Sequence, residues 1–358
     1  KKNGAQSLLK FTQGDCMKSD DCSAIIALRG WHPAIARQEA ISMFPESEII
    51  RTEARRLVIA HGDSDWSASE IMSGCDCVLT GGGFEKWESI DKLLSSIDAK
   101  PIENMAVICW RHEGKLPVST KKVEKLVGGI FHDAGSTFDL DNPSKRFGVI
   151  LDASAGMVAW GWMTGQGPGK HGWAAMRANK RPFFRPVSLE PRLARAVVNI
   201  AAGKAHGTVI DPMCGTGGLV IESALSGRDS MGIDFDPVMV EGAKQNLQWA
   251  NVQAEVNRND ATIFKLPKDV SAVVIDPPYG RNSRGDEKLL RDTLTNIRSQ
   301  SSCNIAVILP TDPNTYDLDE QISTNKNFDG YEISACYGIP VHKSLGRILV
   351  LAKASTQN

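Results

Sequence analysis

The sequence predicts an α/β protein in which an α+β N-terminal region precedes a mostly parallel, doubly wound sheet with a C-terminal antiparallel hairpin. After residue 182, apolar strand-like runs alternate regularly with helix-like runs, which is the pattern of parallel βαβ units. Residues 166–181 are rich in glycine and basic side chains, which is typical of a linker between domains. The 358 residues also exceed the length of one typical domain.

The composition is that of a globular protein, with 42% hydrophobic and 23% charged residues. No run of about 18 apolar residues is present, so no membrane helix is expected. Residues 1–22 lack the apolar core of a signal peptide and are predicted to be a flexible lead-in. Cys75 and Cys77 have no second pair at zinc-ligand spacing, so no metal site is predicted, and a reducing cytoplasm is the expected location.

The N-terminal region alternates short strands and helices. Residues 23–82 are interpreted as a ferredoxin-like module and residues 83–165 as a second unit of strands and helices. The predicted strands are 22–30, 55–62, 77–82, 105–112 and a pair within 146–164 that turns near 154–156. The predicted helices are 31–44, 67–75 with Ser67 as its cap, 88–97 and 120–135.

Residues 182–358 are predicted to form one domain with a regular order of elements. Its strands are predicted within 207–215, 229–236, 254–261, 270–280 and 303–310, with a strand pair at 331–354. Its helices are predicted at 190–202, 218–227, 237–250 and 287–300. Five apolar strands separated by helices favour a parallel sheet covered on both faces.

An aspartate follows four successive predicted strands of this domain: Asp211, Asp234, Asp260 and Asp276. One such aspartate is commonly a helix cap. Four of them at the carboxyl ends of parallel strands indicate a ligand site, because ligands of open α/β sheets bind there.

The first of these turns reads DPMCGTGGLVIE, residues 211–222. Its glycines allow a tight turn and close approach of a ligand to the backbone. The spacing is not G-x-G-x-x-G, and no lysine follows as in a phosphate-binding loop. Asp234 is placed to bind ribose hydroxyls and Asp260 to meet an adenine amine. The set therefore favours an adenosine ligand without phosphates, S-adenosyl-L-methionine, over NAD.

The last of these strands runs into DPPY, residues 276–279. The exocyclic amine of a nucleobase is a poor nucleophile, because its lone pair is delocalised into the ring. The carboxylate of Asp276 and the carbonyl of Pro277 can accept the two amine hydrogens, and the rigid prolines keep that carbonyl in place. Tyr279 offers a flat ring on which an extruded base can stack. The pattern indicates methyl transfer to such an amine; a plain strand end with a Pro-Pro turn is the alternative.

Residues 170–204 carry eight lysines and arginines against one acid, Glu190. The net charge of the chain is only −1, so attraction to nucleic acid would have to be local. Most charge runs are solvated faces. If this run contacts phosphate, the predicted residues are Lys170, Arg177, Lys180, Arg181 and Arg185.

Four segments together resemble one family. RPFFRPVSLEPRLARAVVNIA (181–201), DPMCGTGGLVIE, GIDFDPVMVEGAKQNL (232–247) and VVIDPPYG (273–280) are similar to the archaeal-type tRNA guanine-N2 methyltransferases that modify nucleotide 10. The resemblance implies a Rossmann-like class I methyltransferase domain at 182–358, preceded by a THUMP-like RNA-binding domain at 83–165 and a ferredoxin-like module at 23–82. It also implies tRNA as partner, with THUMP on the acceptor end, and a small activator subunit of the kind that eukaryotic relatives require.

The resemblance also carries site residues to this chain by position. The implied cofactor-binding residues are Asp211, Met213, Cys214, Gly215, Gly217, Asp234, Phe235, Asp260 and Ala261. The implied catalytic residues are Asp276, Pro277, Pro278 and Tyr279.

Two other functions stay open at this point. An amino methyltransferase with another target, such as another tRNA guanine, an rRNA guanine or a DNA adenine, fits the DPPY sequence equally well, although the long N-terminal region argues against DNA. An RNA-binding protein without activity is the other reading, and the intact DPPY and glycine-rich turn argue against it.

Overall fold

The computed structural model describes residues 23–169, 172–185, 188–278, 283–311, 322, 325–342 and 345–355, without the side chains of 283–287 and 342. The predicted lead-in, residues 1–22, lies outside these ranges. The chain divides into two compact units, which meet in sequence between Gly169 and Lys170. Each unit contains its own seven-stranded sheet.

The N-terminal unit is an α+β unit. Its elements are β1 (Ser23–Leu28), α1 (Pro33–Met43), β2 (Glu48–Arg51), β3 (Leu57–His61), β4 (Cys75–Lys86), α2 (Ile90–Ser96), β5 (Met105–Arg111), α3 (Thr120–Asp133), β6 (Lys145–Asp152) and β7 (Met157–Thr164). The strand order is β2-β3-β1-β4-β7-β6-β5. Only the β5–β6 pair among these is parallel.

Strand β4 is twice as long as the predicted strand 77–82, with twelve residues. It pairs with β1 through residues 75–79 and with β7 through residues 78–80 and 83–86. It therefore crosses residue 82, the predicted boundary between the two N-terminal modules, and strands from both predicted modules share one sheet. The division into a ferredoxin-like and a THUMP-like module stays a prediction.

The predicted helix at 67–75 is a short 3₁₀ turn, Trp66–Ile71. Its cap is Asp65, whose carboxylate accepts a 3.0 Å hydrogen bond from the Ser67 amide, instead of Ser67 itself. The turn ends where Met72 takes an extended backbone, with φ −78° and ψ 137°, and β4 begins at Cys75.

The C-terminal unit confirms the predicted α/β class. Its elements are α4 (Pro191–Ala202), β8 (Thr208–Asp211), α5 (Gly218–Leu225), β9 (Ser230–Asp234), α6 (Pro237–Trp249), β10 (Glu255–Arg258), β11 (Val270–Ile275), α7 (Ser283–Gln300), β12 (Asn304–Thr311), β13 (Tyr331–His342) and β14 (Leu345–Ala354). Helices α4 and α6 both begin with proline after an acidic cap, Glu190 and Asp236, a favoured start because proline lacks the amide hydrogen that would have no helical partner there.

The strand order of this unit is β10-β9-β8-β11-β12-β14-β13. The first five strands are parallel. Strand β14 is antiparallel to both β12 and β13 and lies between them. The C-terminal hairpin thus folds back so that its second strand, and not its first, continues the parallel sheet. Parallel β10, β9, β8 and β11 end at the same edge, which positions the site.

Candidate active site

The predicted acidic residues lie along one edge of the C-terminal sheet. Asp211 and Asp234 are the last residues of β8 and β9. Asp276 directly follows β11, and Asp260 follows β10 by two residues. Since these four strands are neighbours, their carboxyl ends form the crevice in which open α/β sheets bind ligands.

A cavity of about 720 Å³ opens at this edge, which is within the usual size of small-molecule sites. Its walls contain most of the predicted site residues: Asp211, Met213, Cys214, Gly215, Asp234, Phe235, Asp260, Ala261, Asp276, Pro277 and Pro278. Gly217 is outside the wall and begins the turn into α5. Tyr279 lies outside the described residues. The cavity therefore joins the glycine-rich turn to the DPP sequence.

The glycine-rich turn has the backbone geometry that its sequence indicates. Gly215 and Gly217 have φ angles of 50° and 79°, in the left-handed region that other residues rarely adopt. The Gly215 amide donates a 2.8 Å hydrogen bond to Oδ2 of Asp234, and the Met213 amide donates a 3.1 Å bond to Oδ1 of Asp211. The turn after β8 is thus held by the acids of two adjacent strands.

Asp211 is the most enclosed acid of the site, with 3% of its surface exposed. Burial raises the pKa of its carboxyl well above the usual range, and the neighbouring charges of Asp276 and Asp234 raise it further, although the Met213 amide opposes the shift. A cation in the cavity would offset this repulsion. The site is therefore electrostatically suited to a positively charged ligand.

Asp260 has the opposite character. Its Oδ1 accepts hydrogen bonds from the amide and the hydroxyl of Thr262, at 2.9 and 2.7 Å. These bonds lower the pKa of Asp260 below its usual value, so this acid stays ionised. Phe235 lines the same cavity and is 68% exposed, a large value for an aromatic ring. An ionised acceptor and an exposed aromatic ring in one cavity suit a planar ligand with an amine, such as adenine.

The DPP residues form the wall on the β11 side. Ile275 is fully buried at the end of the strand, Asp276 is half-buried, Pro277 is buried and Pro278 is exposed. The chain thus passes from the core to the surface within three residues, and Asp276 sits at the cavity wall during that passage.

Comparison with known proteins gives the family. A family model described as RMKL-like, methyltransferase domain matches residues 178–318. The tRNA (guanine(10)-N2)-dimethyltransferase of Methanothermobacter thermautotrophicus is 34% identical over 250 residues, which cover 65% of this chain and 68% of that protein. The chain belongs to the tRNA (guanine(10)-N2)-dimethyltransferase family.

Two further proteins are similar to this chain. The tRNA (guanine(10)-N2)-dimethyltransferase of Pyrococcus abyssi is 34% identical over 242 residues, covering 65% of this chain and 69% of that protein. The U6 snRNA (guanine-N(2))-methyltransferase THUMPD2 of Mus musculus is 33% identical over 106 residues, covering 28% of this chain and 20% of that protein. The chain is therefore a methyltransferase, and its methyl donor is S-adenosyl-L-methionine.

The cavity of this chain fits S-adenosyl-L-methionine. Open space lies next to Gly215, where an added Cβ would have no neighbour within 4 Å. Asp234 and Asp260 offer acceptors for hydroxyl and amine groups, and acids surround the place where a cationic ligand would sit. The residues that would hold the donor are therefore those of the turn, Asp234 and Asp260.

The sequence did not indicate one wall of the cavity, which comes from residues shortly before α4. Arg185, Ser188 and Leu189 line the cavity; they lie in the predicted methyltransferase domain but were not among its predicted cofactor-binding residues. Phe183 fixes this segment: its amide donates a 3.0 Å hydrogen bond to Oδ1 of Asn246 on α6, and its carbonyl accepts a 2.8 Å bond from Nδ2. Glycine at 242 leaves the room for the Phe183 ring, which a Cβ there would overlap.

The predicted phosphate-contacting residues differ in exposure and position. Arg177 and Lys180 are exposed, and Lys170 lies outside the described residues. Arg181 is buried, with 5% exposure; it donates to the Met176 carbonyl at 3.3 Å, and burial lowers its pKa while Glu222 opposes that shift. The prediction for Arg181 is corrected, because phosphate does not reach a side chain inside the unit. Arg185 is exposed at the cavity wall.

No helix in the described ranges is both long and apolar enough to cross a membrane.

Proposed function

We propose that this chain transfers a methyl group from S-adenosyl-L-methionine to the exocyclic N2 amine of guanine 10 in tRNA. The observation that carries the proposal is the single cavity that joins the glycine-rich turn to Asp276 and Pro277, in a chain whose relatives bear that activity in their names. A donor bound at the turn and an amine at Asp276 would then meet within one enclosed space.

The donor would lie along the sheet edge. Asp260, which stays ionised, would accept from the adenine amine, and Asp234 would accept from the ribose hydroxyls. The turn from Asp211 to Gly217 would surround the methionyl part. When bound, S-adenosyl-L-methionine supplies an electrophilic methyl group on a positively charged sulfur.

The chemistry assigned to this chain is positioning of the acceptor. Asp276 and the carbonyl of Pro277 would accept the two amine hydrogens, which favours a pyramidal nitrogen with a localised lone pair. As the N–C bond forms and the S–C bond breaks, one amine proton passes to Asp276 and then to solvent. The rate would come from orientation and fixed dipoles. Tyr279 is predicted to stack on the extruded base.

The tRNA would be held outside this cavity. Arg177 and Lys180, exposed in the segment before α4, would contact phosphate. The N-terminal unit is proposed to bind RNA as a THUMP-like module. An activator subunit and a cytoplasmic location belong to the same proposal, by analogy with the family.

The direct test is incubation with labelled S-adenosyl-L-methionine and unmodified tRNA, followed by nucleoside analysis. Label in N2-methylguanosine or N2,N2-dimethylguanosine that disappears when guanine 10 is replaced supports the proposal. Label that survives the replacement moves the target to another nucleotide. No transfer, even with an added activator subunit, contradicts it.

A second candidate is a guanine of another RNA. The match to a U6 snRNA guanine-N2 methyltransferase favours it, since the same cavity would accept the same amine. The same assay with a U6 transcript separates the two: transfer to U6 but not to tRNA would replace the first proposal.

A further inference from the structure

The cavity has a strongly one-sided charge. Five carboxylates line it, from Asp211, Asp234, Asp236, Asp260 and Asp276. Among the lining residues in the described part of the chain, one side chain is cationic, that of Arg185. The methyl donor carries two positive groups, a sulfonium and an ammonium, and one negative group, the carboxylate of its methionyl part. Acids suit the first two groups, whereas a cation suits the carboxylate.

Arg185 is held in place by its own segment. Its guanidinium carbon lies 4.9 Å from the centre of the Phe183 ring, within the range of a cation–π contact. Phe183 is in turn tied to Asn246 through both its amide and its carbonyl. A guanidinium pre-positioned in this way loses less conformational freedom on binding than a mobile one.

The segment is attached to the cofactor side of the cavity. The hydroxyls of Ser188 and Thr216 are 3.2 Å apart, and Asn246 donates a 2.9 Å hydrogen bond to the Thr216 carbonyl. Thr216 belongs to the glycine-rich turn, where the methionyl part of the donor is proposed to lie. These contacts link Arg185 to the turn after β8.

We propose that Arg185 binds the carboxylate of the methionyl part of the donor. The inference rests on the proposed function, since it takes S-adenosyl-L-methionine as the ligand. The planar guanidinium can donate two parallel hydrogen bonds to a carboxylate, and the Ser188 hydroxyl donates a 3.1 Å hydrogen bond to the Arg185 carbonyl, which holds the backbone of Arg185 beside the cavity. This role replaces the phosphate contact that the sequence indicates for Arg185.

The test compares two ligands that differ by the carboxylate alone: S-adenosylhomocysteine and its decarboxylated analogue, S-adenosyl-3-thiopropylamine. Calorimetry measures both affinities for the full chain and for Arg185→Gln. The variant is expected to lose roughly 10- to 100-fold in affinity for S-adenosylhomocysteine, the value of a charged hydrogen-bonded contact. It is expected to bind the amine analogue within about twofold of the unchanged protein.

Two variants complete the design. Arg185→Lys keeps the charge without the planar fork and is expected to have an intermediate affinity. Lys268→Gln removes one positive charge from an exposed position of the same unit, outside the cavity wall, and is expected to bind both ligands unchanged. Thermal melting of each variant establishes that it is folded.

Equal losses for both ligands would overturn the proposal, because a merely structural role does not distinguish them. Unchanged binding of both ligands, together with a raised KM for tRNA, would assign Arg185 to phosphate instead. The calorimetric binding assay contains no RNA, so a wrong RNA target leaves its result unaffected. Failure of the unchanged protein to bind S-adenosylhomocysteine would contradict the proposed function itself.

Discussion

The carboxylate of Asp234 accepts a 2.8 Å hydrogen bond from the backbone amide of Gly215, so the end of β9 holds the turn that follows β8. The other oxygen of Asp234 accepts a 2.9 Å bond from the Asp236 amide. One side chain therefore fixes two loops of the cofactor cavity and also presents an acceptor to a ligand.

Replacement of Asp234 by alanine is expected to weaken S-adenosylhomocysteine binding by roughly 10- to 100-fold, because it removes a charged acceptor and frees the turn. Calorimetry measures this loss. Asp234→Asn keeps an acceptor for Gly215, so it is expected to melt closer to the unchanged protein than Asp234→Ala does. Unaltered affinity in the alanine variant would exclude Asp234 from the site.

Asp211→Asn is expected to stabilise the protein without ligand at pH 8 and to weaken cofactor binding. Because burial raises the pKa of Asp211, the folded state favours the protonated acid; this contribution is present at low pH and is lost as the pH rises through the folded-state pKa. The asparagine side chain does not ionise, so the variant does not lose stability as the pH rises. Its side-chain oxygen still accepts the hydrogen bond from the Met213 backbone amide.

Melting temperatures at pH 5 and pH 8 check this expectation. The gain of Asp211→Asn over the unchanged protein should be larger at pH 8. A gain that is the same at both values, or a loss at pH 8, would contradict the assignment of a raised pKa to Asp211.

Asp276→Ala is expected to bind S-adenosylhomocysteine normally and to lose roughly 10²- to 10⁴-fold in kcat, the usual contribution of an acid–base group. Asp276→Asn keeps one acceptor for the amine and is expected to retain more activity than the alanine variant. Single-turnover assays at matched cofactor occupancy measure both. Near-normal turnover of Asp276→Ala would remove it from the mechanism.

Gly242→Ala is expected to destabilise the C-terminal unit by about 1–3 kcal/mol through overpacking against Phe183, and to weaken cofactor binding by displacing Arg185. The direction of this change in stability is informative, because replacing a glycine inside a helix with alanine ordinarily stabilises a protein. Gln245→Ala, at an exposed position of the same helix, should change stability by less than about 0.5 kcal/mol. Denaturant unfolding of both variants makes the comparison.

Local patterns were sufficient to predict most of the C-terminal unit. The acids at 211, 234 and 276 end buried apolar strands, and strand ends of a parallel sheet must share an edge, so the cavity followed from the sequence. The order of the last two strands could not be predicted from the sequence, because no local pattern decides whether β13 or β14 pairs with β12. That choice depends on contacts between distant residues.

The same limit explains the error at Arg181 and the missed wall. A run of cations normally indicates a solvated face, but Arg181 lies against Gly218, where a Cβ would come within 3.2 Å of its guanidinium. The bridge from Asn246 to Phe183 spans 63 residues, and no periodic pattern relates two such positions. In the N-terminal unit, the strand predicted at 77–82 continues to Lys86 as part of β4, and its residues 83–86 pair with β7.

The two hydrogen bonds between Phe183 and Asn246 affect where the C-terminal unit can be separated from the rest of the chain. A recombinant catalytic half cloned from the first residue of α4 would leave behind Phe183 and Arg185 and open one side of the pocket to water. Starting the open reading frame at residue 172 or earlier keeps that side closed, so weak cofactor affinity in a shorter fragment would reflect where the gene was cut.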